Sequence, residues 1–111
     1  MQLAFVETTA FTRRVTQHGL EEDLRELQQE LLRSPEKGAL DPGTGGLRKV
    51  RVRVRSTSKG KRSGARVHYL YLSSDRMIYL IFVYLKGEQA TLTPGQKKQL
   101  RSIAEAFKKE R

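Results

Sequence analysis

Apolar residues in the first third of the chain recur with the period of an α-helix. Four leucines at spacings of four, three and four residues share one helical face and predict a helix over 20–33. A shorter helix is predicted over 10–17, because Thr8 or Thr9 can cap its first turn and Gly19 can end it. Together they predict a helical hairpin, whose apolar face is formed by Leu20, Leu24, Leu27 and Leu31.

The middle of the chain alternates with the period of a β-strand. This alternation predicts strands over 47–55 and 65–73, and a weaker one predicts a short first strand over 3–7. Residues 77–85, MIYLIFVYL, are apolar on both sides and predict a strand that is covered, at least in part, on both faces. A final apolar stripe predicts a helix over 94–110. On the strand over 47–55, Val50, Val52 and Val54 face one way, opposite to Lys49, Arg51, Arg53 and Arg55.

These elements follow the order β-α-α-β-β-β-α. Three successive strands with short turns predict an antiparallel meander, so the fold class is α+β. We expect a helical hairpin packed on a mainly antiparallel four-stranded sheet, plus a C-terminal helix, in a single domain over 1–111. In this arrangement the hairpin leucines cover the valine face, and the cationic face is left to solvent or a ligand.

Charge is distributed unevenly along the chain. Lysine and arginine number 22 against 12 acidic residues, for a formal net charge of +10, and no acidic residue occurs between Asp41 and Asp75. A directional positive field favours a polyanionic partner, either nucleic acid or an acidic membrane surface. The cations follow a strand pattern, and no apolar run approaches the ~18–20 residues of a membrane span. Nucleic acid is therefore the favoured partner, and no membrane partner is expected.

The chain offers few groups for cofactor chemistry. It contains no cysteine, which excludes disulfides, a thiol nucleophile and cysteine zinc sites. The two histidines, His18 and His68, lie 50 residues apart, so a catalytic metal site is not expected and no cofactor is predicted. The first residues do not resemble a signal peptide, which makes the cytoplasm the expected location.

The densest positive charge lies on the predicted hairpin over 47–69. Cations at alternate positions of its first strand repel one another at a spacing of about 7 Å, and an anionic ligand would relieve this repulsion. Lys59, Lys61 and Lys86 extend the same region. The alternative is a solvated sheet face, on which lysine and arginine prevent edge-to-edge aggregation.

His68 falls in phase with Arg66 on the cationic face of the second hairpin strand. Its charge is easily changed near neutral pH, so it is a candidate acid, base or RNA contact. The alternative is a half-exposed strand residue with no chemical role. Four tyrosines are candidates for stacking on bases, although such residues are more often in the core: Tyr69, Tyr71, Tyr79 and Tyr84.

Three longer segments carry a resemblance to a known family. They are GTGGLRKVRV (43–52), KGKRSGARVHYLYL (59–72) and IYLIFVYLKGEQATLTPGQKKQL (78–100). Together they closely resemble the HigB branch of the RelE toxin superfamily, the toxins of bacterial type II toxin–antitoxin systems. The resemblance implies a RelE-like fold and a ribosome-dependent mRNA endonuclease, an mRNA interferase that cuts the message in the 30S A site.

The same resemblance implies the chemistry and the partners. The ribose 2′-hydroxyl attacks the adjacent phosphate without a metal and leaves a 2′,3′-cyclic phosphate, which inhibits translation. The implied partners are mRNA, the ribosome with its ribosomal RNA, and an antitoxin, often with a helix-turn-helix domain.

Cations line the cleft of the family's toxins, and the resemblance assigns them to matching positions of this sequence, residue by residue. Lys49 or Lys86 is the candidate base. Arg66 is suited to stabilising the transition state, and Arg51 to orienting the phosphate. Lys61 lies in the variable loop, and further RNA contacts are expected from Arg48, Arg53, Arg55, Lys59, Arg62 and His68.

One departure from the family pattern concerns the general acid. Many relatives carry an arginine and then a tyrosine beyond the last meander strand, whereas GEQATLTPG follows Lys86 here. His68 or Glu88 is then left as a candidate acid. The rival function, from another class, is a non-catalytic RNA- or ribosome-binding module, which would need the same cations but no chemistry.

Overall fold

The secondary structure follows the predicted order, with one additional strand. A computed structural model describes residues 2–55 and 63–110. The predicted α+β class is confirmed, and each helix begins and ends within one residue of its predicted bounds. The described elements are β1 (Ala4–Glu7), α1 (Thr9–His18), α2 (Glu21–Arg33), β2 (Ala39–Leu40), β3 (Arg48–Val52), β4 (Ala65–Leu72), a 3₁₀ turn (Ser73–Asp75), β5 (Met77–Leu85) and α3 (Pro94–Lys109).

The strands of the described ranges form one mixed sheet in the order β1-β5-β4-β3-β2. β3, β4 and β5 are the predicted antiparallel meander, and β1 pairs with β5 in parallel. The sequence does not predict β2, whose two residues pair with Lys49 and Arg48. A two-residue strand is too short to show a periodic pattern. For this reason the pattern predicts four strands, whereas the described sheet has five.

Both ends of α1 and the start of α3 coincide with capping residues. The side chain of Thr8 accepts a hydrogen bond from the Phe11 N–H at 3.1 Å, and Gly19 ends α1 in the left-handed conformation. Thr93 and Gln96 form a reciprocal capping box at the start of α3. These signals act within a few residues, which is why they can be read from the sequence.

Apolar layers cover both faces of the sheet. On one face Phe11, Leu27 and Leu31 of the hairpin pack against the valines of β3 and β4, as predicted. On the other face α3 packs through Leu100 and Ala104. This corrects the expectation that the second face is left open, because the apolar stripe of α3 buries itself there. On β3, Lys49 is half-buried and Arg51 is exposed.

A β-bulge in β5 changes which side chains face each layer. Two successive residues of β4 pair with Leu80 and Phe82, so Ile81 is an extra residue in β5. Before the bulge Leu80 faces the helical hairpin, and after it Val83 does. Ile81 and Phe82 both belong to the α3 layer. The alternation therefore reverses at the bulge.

Candidate nucleic-acid interface

The strand register brings three of the predicted site cations to one face of the sheet. Across the β3–β4 ladder, Arg51 lies directly opposite Arg66, and Lys49 lies opposite His68. Residues directly opposite each other in antiparallel strands project to the same side. Arg66 in turn lies opposite Tyr84, which belongs to the α3 layer. Lys49, Arg51 and Arg66 therefore share the face on which α3 packs.

Lys86 joins this face at the end of β5. Its backbone N–H donates to the carbonyl of Gly64 at 3.0 Å, which extends the β4–β5 ladder by one position. Lys86 lies two residues after Tyr84, and both come after the bulge, so their side chains project to the same face of the sheet. Tyr84 lies opposite Arg66, so Lys86 falls on the side of Arg66. Without the extra residue at Ile81, the alternation would assign Lys86 to the hairpin side.

We call Lys49, Arg51, Arg66 and Lys86 the cation face. Within the described part of the chain, none of the four takes part in an ion pair. The Arg66 guanidinium donates to the backbone carbonyl of Ala65 at 3.2 Å. Like charges directly opposite each other destabilise a sheet, so an anion bound between Arg51 and Arg66 would relieve a repulsion. A guanidinium can hold two phosphate oxygens at once.

Two arginines predicted to contact RNA have partners elsewhere in the fold. Arg48 donates to the backbone carbonyl of Gly38 at 2.8 Å and to the carboxylate of Glu36 at 3.1 Å. The guanidinium of Arg55 forms an ion pair with Glu26 of α2. A carboxylate of the same chain meets each charge, so neither arginine adds to the uncompensated charge of the cation face.

Arg53 is exposed just beyond the end of β3. With Arg51 and Arg55 it lines a groove of about 970 Å³, to which α2 contributes Glu26 and Glu30. The groove extends the positive surface away from the sheet, and the two carboxylates offset part of its charge. The remaining predicted RNA contacts lie outside the described residues and stay predictions: Lys59, Lys61 and Arg62.

His68 is fully buried, which contradicts its predicted role as an RNA contact or exposed acid. Its Nε2 lies 2.8 Å from Oδ2 of Asp41. Burial lowers the pKa of His68, and the hydrogen bond and charge of Asp41 oppose this only in part. The ring is therefore neutral and donates from Nε2, since a carboxylate can only accept. Nδ1 has no hydrogen-bond partner among the described residues.

The alternation placed His68 on the correct face, but it could not indicate that this part of the face is covered. His68 stacks on Tyr84 with ring centroids 6.1 Å apart, inside the layer that α3 closes. A half-exposed side chain would require this layer to be open, and that prediction was wrong because periodicity does not show that Asp41 and Tyr84 pack against His68.

Two other groups could serve as an acid, and neither is free. Glu88 accepts a hydrogen bond from the backbone N–H of Leu85 at 3.0 Å and pairs with Arg14 at 2.8 Å. Tyr84 is buried; burial raises the pKa of its phenol, and the Arg66 guanidinium acts in the opposite sense. The phenol therefore stays protonated at neutral pH and is covered by the fold.

Asp41 is the site residue that sequence reasoning missed. It pairs with His68, and the Nζ atom of Lys97 lies 3.9 Å from its other carboxylate oxygen. Its backbone N–H donates to the carbonyl of Leu47 at 2.9 Å, which closes the turn before β3. No local pattern links Asp41 to a histidine 27 positions away.

Neither a metal cluster nor a membrane helix is present in residues 2–55 and 63–110. In these ranges, no three His, Cys, Asp or Glu side chains are grouped so that they could hold a metal ion. None of the helices there combines the length and the apolar character needed to span a bilayer.

Comparison with known families decides the identity of this fold. The family described as the RelE toxin of the RelE/RelB toxin–antitoxin system matches residues 5–111. The chain belongs to the RelE toxin family. This confirms the superfamily that the three sequence segments indicated, and the HigB branch stays a prediction.

A solved RelE structure shares the fold of this RelE-family chain. It is a double mutant of the Escherichia coli toxin RelE in the free state, which superposes with a TM-score of 0.58. The match covers 81% of this chain and 90% of that one, at 17% sequence identity. At this identity the likeness shows the fold alone, so the roles of the cation face stay predictions.

Proposed function

We propose that this RelE-family chain is an endoribonuclease toxin of a type II toxin–antitoxin system, from the HigB branch. It cuts mRNA in the A site of the 30S ribosomal subunit and thereby inhibits translation. The observation that carries the proposal is the cation face, where Arg51 lies directly opposite Arg66 and neither has an ion-pair partner among the described residues. An RNA phosphate supplies the complementary charge. Residues 1–111 act as one domain in the cytoplasm.

The proposed reaction is an internal phosphoryl transfer. The ribose 2′-oxygen gives its proton to a base and bonds to the adjacent phosphorus. The bond from phosphorus to the 5′-oxygen of the next nucleotide breaks, and that oxygen takes a proton from an acid. The products are a 2′,3′-cyclic phosphate and a 5′-hydroxyl. The reaction needs a base, an acid and donors for the non-bridging oxygens, and none of these roles requires a metal.

The residue types of the cation face suggest how the roles divide. Arg66 lies on the central strand β4, and its permanently charged fork suits the phosphate oxygens as negative charge develops on them. Arg51, exposed on β3, orients the scissile phosphate. Lysine is the only side-chain type on this face that can release a proton and act as a base, so Lys49 or Lys86 takes that role.

RNA binding extends beyond the reacting phosphate. Arg53 and the cations outside the described residues are proposed to contact the RNA backbone, where they position the toxin without reading sequence. The partners are the mRNA, the ribosomal RNA around the A site and a cognate antitoxin. We propose that the antitoxin is of the helix-turn-helix type.

The decisive experiment uses purified toxin, translating ribosomes and a reporter mRNA. The wild-type toxin is expected to cut within translated codons and leave 2′,3′-cyclic phosphate ends. Arg66→Ala is expected to lower the cleavage rate by roughly 100-fold or more, the usual cost of losing a donor to a developing charge. Arg25→Ala is the matched control, since it removes one positive charge from an exposed position of α2. Intact message with the wild type, or equal rates for the two variants, would contradict catalysis.

A non-catalytic RNA- or ribosome-binding module is the second candidate. It is favoured by one observation, that His68 and Tyr84 are buried and Glu88 is paired. Arg66→Lys separates the two, because it keeps the charge and loses the fork. An enzyme is expected to lose about tenfold or more in rate with little change in RNA affinity, whereas a binding module has no cleavage rate to lose.

A further inference from the structure

Among the four described residues of the cation face, Lys86 alone lies beyond the end of its strand. The other three lie within β3 or β4. The strand β5 ends at Leu85, and Lys86 begins the turn over 86–88. Its backbone N–H donates to the carbonyl of Gly64 at 3.0 Å, and the residue is half-buried. The position of its amine therefore depends on what fixes this turn.

The turn that carries Lys86 is closed twice by Glu88. The backbone N–H of Glu88 donates to the Leu85 carbonyl at 2.9 Å, and the Oε1 of its side chain accepts from the Leu85 N–H at 3.0 Å. Both bonds span Lys86, because they join the residue before it to the residue two positions after it. The Glu88 side chain therefore fixes the backbone of Lys86 relative to the end of β5.

Two side chains of α1 hold the Glu88 carboxylate in place. The Nη2 of Arg14 lies 2.8 Å from Oε1 of Glu88, and Nε2 of His18 lies 3.5 Å from Oε2. Arg14 also donates from Nε to the carbonyl of Val83 at 2.6 Å. The donors of a guanidinium have a rigid, planar arrangement, so Arg14 fixes the turn relative to the last residues of β5.

The charge of Glu88 has the wrong sign for binding RNA. A carboxylate beside a phosphate site repels the phosphate, so affinity for RNA does not account for Glu88 at this position. Within the described part of the chain, Glu88 and Lys86 form no ion pair with each other. The carboxylate is bonded to α1 and to the backbone of β5 instead, which leaves the Lys86 amine to the RNA.

We propose that Glu88, held by Arg14, is a positioning residue that keeps the Lys86 amine at the scissile phosphate. The inference rests on the proposed endonuclease function, in which Lys86 is one of the two candidate bases. In this role Glu88 contacts no RNA and acts through the turn over 86–88. A displacement of a reacting group by about 1 Å is enough to lower a rate by roughly 100-fold.

A purely structural role for Glu88 has different consequences. Loss of a contact that only stabilises the fold lowers the folded fraction, and its effect adds to that of a substitution elsewhere. Loss of a positioning contact lowers the rate at saturation and depends on the presence of Lys86. Removal of a negative charge should also leave RNA binding equal or tighter. Slower cleavage without weaker binding is therefore the result that distinguishes positioning.

The test measures the cleavage of ribosome-bound mRNA by variants of the full-length toxin. Varying the concentration of programmed ribosomes gives the rate at saturation, kcat, and the half-saturating concentration, KM. Glu88→Ala is expected to lower kcat about tenfold or more, with KM unchanged or lower. Glu88→Gln keeps an oxygen that accepts from the Leu85 N–H and from Arg14, so it is expected to recover most of the lost rate. No recovery with glutamine would contradict positioning by these two hydrogen bonds.

Double variants show whether the effect of Glu88 depends on Lys86. In a Lys86→Ala background, Glu88→Ala is expected to cause no further loss of kcat, because the group that it positions is absent. In an Arg51→Ala background, Glu88→Ala is expected to cause its full loss. Equal further losses in the two backgrounds would overturn the proposal.

Glu7→Ala is the matched control. Glu7 is an exposed carboxylate at the end of β1, and it accepts a hydrogen bond from the Thr12 hydroxyl of α1 at 2.7 Å. It therefore also links a strand end to α1, but at a distance in sequence from the turn over 86–88. We expect Glu7→Ala to keep the wild-type kcat, and thermal unfolding checks that each variant is folded at the assay temperature. Equal kcat values for Glu7→Ala and Glu88→Ala would contradict the proposal.

Amide hydrogen exchange at Lys86 separates failure of this inference from failure of the proposed function. Glu88→Ala is expected to speed the exchange of the Lys86 N–H, which donates to Gly64, and Glu7→Ala is expected to leave it unchanged. If the wild type cuts mRNA and Glu88→Ala cuts at the same kcat, the endonuclease stands and the positioning role does not. Intact message with the wild type overturns the endonuclease and any role in cleavage, and the exchange rates then show whether Glu88 holds Lys86.

Discussion

At the scale of single residues, the identity of a side chain is most constrained where the backbone adopts a positive φ or where a buried polar group needs a hydrogen-bond partner. Tyr69 is fully buried, yet its hydroxyl donates to the Pro35 carbonyl at 2.8 Å and accepts from the Gly38 N–H at 2.9 Å. The predicted core role of this tyrosine is thus accompanied by a satisfied hydroxyl. The buried ring of His68 is satisfied only in part. Its Nε2 is hydrogen-bonded to Asp41, whereas its Nδ1 has no hydrogen-bond partner in the described chain.

Gly64 is expected to tolerate no side chain. Its φ is +78°, and a Cβ would lie 2.6 Å from the carbonyl oxygen of Val52. Gly64→Ala should therefore lower the free energy of unfolding by about 1–3 kcal/mol, measured by urea denaturation. Gly95→Ala is the control, since Gly95 lies in α3 with its nearest neighbouring atom 4.0 Å from the added Cβ. Alanine there should be neutral or stabilising, and equal losses in the two variants would refute the argument.

The buried histidine should make the stability depend on pH. The pKa of His68 is lowered from 6.5 by burial, so the unfolded chain takes up a proton at a higher pH than the folded chain does. Stability is then fully present above about pH 6.5 and decreases as the pH falls toward the lowered value. The slope for one proton is at most about 1.4 kcal/mol per pH unit.

His68→Gln should flatten this part of the pH profile, measured by denaturant unfolding between pH 5 and 7, even if the variant is less stable overall. Glutamine can still donate to Asp41 but does not titrate. His18→Gln is the control, because it leaves the buried pair intact. An unchanged slope in the His68 variant would show that another group accounts for the pH dependence.

At the scale of the elements, side chains hydrogen-bond the backbone of β5 along the half of its edge that β1 does not pair with. Beyond the end of β1, Thr8 donates its hydroxyl hydrogen to the carbonyl of Ile81 at 3.0 Å, and Arg14 donates from Nε to the carbonyl of Val83 at 2.6 Å. Glu88 accepts from the N–H of Leu85. A sheet edge whose backbone groups are already bonded is a poor template for another strand.

Removing one of these closures should affect both stability and self-association. Arg14→Met keeps an apolar stem on the Phe82 ring, which the guanidinium carbon of Arg14 approaches to 5.3 Å, but leaves the Val83 carbonyl without its donor. We expect a loss of about 1–3 kcal/mol in urea denaturation and more self-association in sedimentation analysis. Arg13→Met, at the exposed neighbouring position, controls for the lost charge. Identical behaviour of the two variants would mean that the edge contact contributes nothing.

For the whole molecule, charge is separated between the two faces of the sheet. The acids Asp23, Glu26 and Glu30 lie on α2, where they bond the Arg55 backbone N–H, the Arg55 side chain and Lys37, respectively. By strand register the cation face lies on the opposite side of the sheet, toward α3, although Arg51 also lines the groove to which Glu26 and Glu30 contribute. The separation gives the positive field a direction, which the net charge alone does not.

RNA binding should therefore depend steeply on salt. If the four cations of the cation face each neutralise one phosphate, the logarithm of the affinity for single-stranded RNA should fall with the logarithm of the salt concentration with a slope of about −3. Arg51→Ala should reduce the slope by about 0.7, and Arg25→Ala on α2 should leave it unchanged. Fluorescence anisotropy between ~50 and 200 mM salt measures both. A flat response would exclude the catalytic and the binding proposals together.

The sequence by itself determined the three helices and the four longer strands of this protein, and their order. Helix positions follow from an apolar repeat and from caps such as Thr8 and Thr93, and the meander follows from a period of two between short turns. These signals act between residues a few positions apart, so they are present before the chain folds. The charge pattern and the three family segments likewise need no coordinates.

Only the tertiary structure decided which charges remain uncompensated. The pairs Arg48–Glu36 and His68–Asp41 join residues that are 12 and 27 positions apart, respectively. The periodicity of the sequence does not predict either pair. Packing against Asp41 and Tyr84 buried His68, and one extra residue in β5 assigned Lys86 to the cation face. These outcomes depend on register and on the packing of distant segments, which a local pattern does not contain.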